Sequence, residues 1–204
     1  MREKYTGMKK MLLILFLVLP AIIAGQSWKE NPFSISIFSN ATMLPPASII
    51  ATFNQPIHPG ITVSYEFGWK QAPKHDWFQN AGISYMYHRF VYQAVYLTSR
   101  GGYRYKLKDF SFEGDLFVGY MHAFYLTDRF VRQADGTYVA KKGAGKPQFI
   151  MGAGVGLGYN LGKNERIRRI FLGYDFCIQT PFVKSYVTFM PNGVLYAGFQ
   201  FNLK

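Results

Sequence analysis

The chain has 204 residues and a formal charge of +12, with 15 Tyr and 19 Phe lifting aromatics to 18% while charged residues stand at only 17%. The length suits one ordinary domain, and the charged fraction lies below the roughly 25% of soluble domains. Nucleic acid is the usual suspicion for so basic a chain, but the cations sit in turns and among aromatics on one strand face, with no recognition motif. The two readings left are a barrel whose outer face meets lipid and an aromatic-rich soluble β-sandwich or lipocalin-like barrel.

Residues 1–10 (MREKYTGMKK) are basic, and Met11–Ile23 is an unbroken apolar run of 13 residues followed by Ala24, Gly25 and polar Gln26. This is the grammar of a cleaved secretory signal peptide. The run is short of the roughly 17 to 25 residues of a spanning helix and contains Pro20, although an uncleaved anchor stays open. Cleavage is expected near Ala24 or Gly25, giving residues 1–25 as leader. Arg2, Lys4, Lys9 and Lys10 against Glu3 supply three of the positive charges, so about +9 remains on the exported part. Cys177 is the only cysteine, so no intrachain disulfide can form, and no Cys follows the leader to carry a lipid anchor. No later apolar run reaches 18 residues, so a membrane could be crossed only by a closed barrel.

Residues 26–46 are assigned as an N-terminal lead-in, and 47–204 as the barrel. The stretch 31–45 (NPFSISIFSNATMLP) is also readable as the start of the first strand, or as an extra strand paired with Phe182–Phe189, which would make ten strands. A less regular first strand is placed at about Ala47–Asn54. From there the period of two is plain. Ile61, Val63, Tyr65, Phe67 and Trp69 alternate with Thr62, Ser64, Glu66 and Gly68, so that successive side chains face opposite sides. Further strands are expected at Trp77–His88, Val95–Leu107, Phe110–Phe124, Phe149–Tyr159, Ile170–Ile178 and Leu195–Leu203, a total of eight. In Phe149–Tyr159, Gly152, Gly154, Gly156 and Gly158 share one face. Glycine weakens an ordinary sheet but makes room in a narrow barrel for long side chains from other strands. Short connections (Lys70–Asp76, Leu107–Asp109, Gly162–Arg166) alternate with outer ones (Gln55–Pro59, the region of Arg89, Leu126–Lys146, Thr180–Asn192), as short periplasmic turns and longer extracellular loops require.

With apolar faces toward lipid, the opposite faces carry Glu66, Arg100, Arg104, Lys106, Glu113, Asp115, Arg169 and Asp175. An Arg or Lys facing lipid at mid-membrane costs about 2 to 4 kcal/mol, so these charges belong inside as an ion-paired network. Eight strands enclose only enough space for side chains, which favours a filled barrel over a polar path or ligand cavity.

At this point the chain resembles the small outer-membrane β-barrel proteins of Gram-negative bacteria, over residues 47–204 plus the leader. The last segment, LYAGFQFNLK, is similar to the alternating aromatic signal by which such proteins are recognised for insertion, with Phe199 and Phe201 in phase. It departs in ending on Lys204 where many members end on an aromatic residue. The resemblance implies an outer-membrane location, a monomer, contact with membrane lipid and lipopolysaccharide, recognition by the barrel-assembly machinery, and no nucleic-acid partner.

Some small barrels of this kind are lipid A or phospholipid enzymes. The lipid A deacylases carry His-x-Ser with a neighbouring Glu, but Met121-His122-Ala123-Phe124 lacks the serine. His88 with Ser99, or His58, could be imagined in the roles of the palmitoyl-transferring barrels, so His88 and His122 stand as weak catalytic candidates. No cofactor is expected. Nor is a metal, since His58, His75, His88 and His122 lie in different segments without ligand spacing. The loop Asp128–Lys146 holds Arg129, Arg132, Lys141, Lys142 and Lys146 around an expected Asp135-Gly136 hairpin tip, and reads either as a contact for lipopolysaccharide phosphates or as a solvated loop. The expected role is non-enzymatic, structural or surface-interacting. A lipid-modifying enzyme, a narrow channel or small hydrophobic ligand binder, and a soluble periplasmic barrel are the alternatives.

Overall fold

A computed structural model of the chain describes residues 32–42, 54, 56–89, 91–126, 129–141, 143–162, 166–182 and 187–201. The leader and its cleavage point lie outside them, as do Lys142 and Leu203. The strands are β1 (Phe33–Ala41), β2 (Pro59–Gln71), β3 (His75–His88), β4 (Tyr92–Leu107), β5 (Phe110–Tyr125), β6 (Arg129–Arg132), β7 (Tyr138–Lys141), β8 (Lys146–Asn160), β9 (Ile167–Thr180) and β10 (Met190–Phe201). Eight of them close into an antiparallel barrel in the order β1-β10-β9-β8-β5-β4-β3-β2, while β6 and β7 form a separate hairpin in the β5–β8 loop. Closure leaves no open edge in the wall.

The first barrel strand is not the one expected. It is β1, inside the stretch assigned as lead-in, and it pairs with β10 from Phe33↔Phe201 to Ala41↔Gly193 and with β2 from Phe33↔Tyr65 to Ser39↔Pro59. Residues 47–53 lie outside the described ones, and Asn54 is helical. Among the described residues the barrel therefore begins at Phe33. Its partner is β10 and not Phe182–Phe189, and the wall has eight strands, not ten. Two residues disguise β1. Phe38 points inward, where a Cβ on Gly60 would lie within its ring, and Ser39 takes the outward place, so the alternation that marks the other strands breaks at its centre.

The odd–even sorting of the remaining strands follows the pleat. Outward positions form an exposed apolar belt in which Leu116 is 70% and Val155 63% exposed. Toward the end with short turns, Trp77 packs edge-on to Tyr103 and Phe110 edge-on to Tyr159, each pair 5.2 Å apart. Tyr85, Tyr87, Phe124 and Phe149 are exposed toward the other end. One extra residue at Trp69 bulges β2, shifting the register between Gly68 and Lys70. In the β6–β7 hairpin Gly136 takes the left-handed conformation (φ 86°) that suits glycine. Thr137 donates its N–H and hydroxyl to Asp135 Oδ1 at 3.0 and 2.7 Å, which holds that carboxyl below its ordinary range.

Candidate functional site: the barrel interior

Facing strands place the interior charges in two groups. Nearer the short turns, Arg104 on β4 donates Nη1 and Nη2 to Glu66 on β2 at 2.9 and 2.7 Å and bonds Glu113 on β5 through Nε. Arg169 on β9 meets the same Glu113 oxygen at 2.5 Å, Lys106 holds Asp76 at 2.6 Å, and Gln200 on β10 donates to Glu66 at 2.9 Å. Side chains from six strands thus meet across the lumen, with three carboxylates matched to three cations. Such a layer keeps charge out of lipid and satisfies its members mutually, without which buried ions are costly. Arg169 is less completely served. It is 3% exposed, yet among the described residues Nε and Nη2 have no hydrogen-bond partner, and they lie against Gly158, where a Cβ would overlap the guanidinium.

Above this layer Arg100 serves two carboxylates, Asp115 at 2.7 Å and Asp175 through both Nη atoms. Its guanidinium lies 4.5 Å from the Phe117 ring centre. Gly154, between the two aspartates in the register, clears their space. A Cβ there would approach Arg100 Nη1 to 2.8 Å and Asp115 Oδ1 to 2.9 Å. This group borders a cavity of about 140 Å³, walled on β1 to β3 by the small hydroxyls of Ser34, Ser36, Thr62, Ser64 and Ser84 and on the far side by Phe117, Ile150 and Cys177. Polar and roomy, it suits ordered water.

The end with long loops is filled differently. Met86, Ala94, Tyr96, Met121, Ala123 and Ile150 form an apolar cluster with Tyr92 and Cys177, and Phe182 of the β9–β10 loop packs on it. Beside it runs a buried amide chain. Tyr92 donates to Gln179 (3.3 Å), Gln179 to Gln148 (2.7 Å), Gln148 to the Pro181 carbonyl (3.0 Å), and Asn40 to Asn192 (3.2 Å).

All eight expected interior charges, Glu66, Arg100, Arg104, Lys106, Glu113, Asp115, Arg169 and Asp175, fall in these two groups. Asp76, at the end of the expected Lys70–Asp76 turn, also belongs to the lower layer. The amide chain was missed because isolated Gln and Asn carry no period of their own.

The weak catalytic candidates lie apart. His122 is outside the barrel, with Nδ1 2.7 Å from the Tyr120 hydroxyl and Nε2 2.9 Å from the Ala144 carbonyl, so both nitrogens are engaged in structure. His88 stacks on His58. Ser99 is paired with Ala81, seven residues from His88 along β3 and thus about 23 Å away, and it accepts a bond from Gln79 at 2.9 Å. Among the described residues no three His, Cys, Asp or Glu converge on a metal position. Of the loop cations, Arg129 and Arg132 lie on β6 and Lys141 on β7, with Arg129 directly opposite Lys141. Lys146 starts β8 and bonds the Phe182 carbonyl.

A sheet closed on itself, with an apolar belt between aromatic girdles and charges turned inward, defines a transmembrane β-barrel of the bacterial outer-membrane class. No protein-family model matches the chain, and no curated protein does. Among solved structures it is similar to the outer membrane enzyme PagL (10% identity, 82% of this chain and 97% of that one, TM-score 0.46). It is similar also to Neisserial surface protein A (10%, 85% and 96%, 0.46) and to the N-terminal β-barrel domain of Pseudomonas aeruginosa OprF (15%, 83% and 97%, 0.43). At such identities and scores these likenesses carry nothing about role.

Proposed function

We propose that the chain is a non-enzymatic outer-membrane barrel, closed to ion flow, with a structural or surface-interaction role. The observation that carries this reading is the ionic layer joining β2, β3, β4, β5, β9 and β10 across the lumen. A hydrated ion would have to part several buried charge-assisted bonds to pass, and each is costly to leave unmade. At the outer surface the register sets Arg129 against Lys141 on a hairpin that also bears Arg132, an arrangement suited to phosphate groups of an anionic glycolipid. The C-terminal strand, with Phe199 exposed toward lipid, supports recognition by the barrel-assembly machinery.

The test is single-channel recording in planar bilayers at neutral pH with purified, heat-modifiable protein. A flat baseline is the expected result. Discrete conductance steps that vanish on unfolding the protein would overturn the closed reading in favour of a channel.

A further inference from the structure

The two histidines at the long-loop end do more than cap a strand. The β2–β3 register ends at Gly60↔Met86. Two residues farther on, His58 and His88 meet over the inward-facing Met86, their rings stacked 3.7 Å apart at 14°. His88 stacks in turn on Tyr92 at 5.6 Å. Tyr92 bonds Gln179, whose Oε1 also accepts from Asn192 at 3.5 Å, and Asn192 accepts from Asn40. Asn40 donates its own N–H to the His58 carbonyl at 3.1 Å. These contacts close a circuit around the inside of the mouth.

Within that circuit the histidines are the groups that change charge between pH 5 and 8. His58 is only 7% exposed, and among the described residues Nδ1 of both rings is buried without a hydrogen-bond partner. A neutral imidazole leaves such a nitrogen as a bare acceptor. A second proton would put an N–H there with nothing to receive it, and would set two like charges face to face. The groups around the pair offer no relief. Tyr92 faces it from β4 and the uncharged Asn40 from β1, Arg89 follows His88 in the chain, and among the described residues neither ring is ion-paired with a carboxylate. Burial lowers the proton affinity of His58.

We propose that the circuit is an acid-released seal: protonation of the His58–His88 pair parts the stack and admits extracellular water to the cavity bordered by Arg100, Asp115 and Cys177. The sign follows from linkage. The closed form binds protons less readily than a form with the rings in water, so falling pH draws the equilibrium toward opening.

Cys177, 2% exposed and on the cavity wall, is a built-in reporter. Its rate of modification by 4,4′-dithiodipyridine would be measured on the full chain in liposomes at pH 7.5 and 5.0, each divided by the rate for urea-unfolded protein at the same pH. The normalised rate should rise severalfold in acid, the direction set by the lower proton affinity of the closed form. The doubly substituted H58F/H88F protein, which keeps the stacked rings without their protons, should show no rise. A rate independent of pH in the unsubstituted protein, or an equal rise in both, overturns the proposal. Should the double variant fail to insert, H58Q replaces it. The midpoint of the rise must also coincide with the histidine C–H titration seen by NMR, and a midpoint elsewhere overturns the proposal equally.

Discussion

Arg104 grips Glu66 with both terminal nitrogens of its guanidinium, at 2.9 and 2.7 Å, across 38 residues of sequence. The planar fork matches the carboxylate in a way a lysine could not, and its Nε is left to bond Glu113. Replacing Arg104 by Met leaves Glu66 buried with no cation against it, only the Gln200 amide, and leaves Glu113 to Arg169 alone. Breaking a buried pair from one side costs about 3 to 5 kcal/mol, so R104M should lower the urea midpoint of unfolding in detergent by that equivalent. The double variant R104M/E66Q should recover part of the loss. An R104M barrel as stable as the unsubstituted one would show that the layer contributes nothing.

Glycines on the two faces of the wall should respond oppositely to alanine. A Cβ at Gly158 meets the Arg169 guanidinium, whereas at Gly114, on the outer face, it meets nothing within 4 Å. G158A should cost about 1 to 3 kcal/mol through overpacking. G114A should be neutral or slightly stabilising. Equal effects, read from paired unfolding curves, would contradict the inward placement of the glycine face.

Leu116 is the best-exposed large residue of the belt at 70%, and Gly101 is its partner near mid-strand. L116R should destabilise the barrel by about 2 to 4 kcal/mol in a bilayer, the cost of an arginine at the lipid midplane. Y138R, on the outer hairpin, should change stability little. If both variants convert to the unfolded, slower-migrating form at the same temperature on gels, the belt does not face lipid.

The basic hairpin gives a binding prediction. Substituting Arg129, Arg132 and Lys141 together by Gln should reduce association with lipopolysaccharide added in solution. The residual difference should shrink as salt rises, because screening shortens the reach of exposed charge. Identical affinity in low salt would remove the glycolipid reading of this loop.

His122 uses one nitrogen toward Tyr120 and the other toward the Ala144 carbonyl, so its loss should loosen the loop and alter no chemistry. Lipid A from cells producing H122A or H88A should match, by mass spectrometry, lipid A from cells producing the unsubstituted protein. A missing acyl modification in either would revive the enzyme alternative.

Seven of the eight wall strands were legible because lipid imposes one rule on every outward position, and the pleat turns that rule into a period of two. Val155 and Leu157 obey it so strictly that Gly154, Gly156 and Gly158 could be assigned to the interior beforehand. The inner face follows no such rule. Phe38 and Phe78 point inward into room left by Gly60 and Gly102, and the first of these concealed β1. Charges were readable as a set, since none tolerates lipid, but their pairing was not. Arg104 and Glu66 meet because of barrel closure, a relation between distant strands that spacing along the chain does not encode. The stacking of His58 on His88 was hidden for the same reason.

The seam between β1 and β10 joins Phe33 to Phe201, the first and last described strands of the wall. Until the C-terminal strand has emerged on the far side of the inner membrane, β1 has an unsatisfied edge and no permanent neighbour on it, and the same holds for β10 until it finds β1. Such a topology cannot assemble progressively as the chain appears. Closure waits for both seam strands, and its entropic cost grows with the length of chain between the partners. A truncation that removes either seam strand should therefore leave its partner with an unpaired edge and yield no closed barrel.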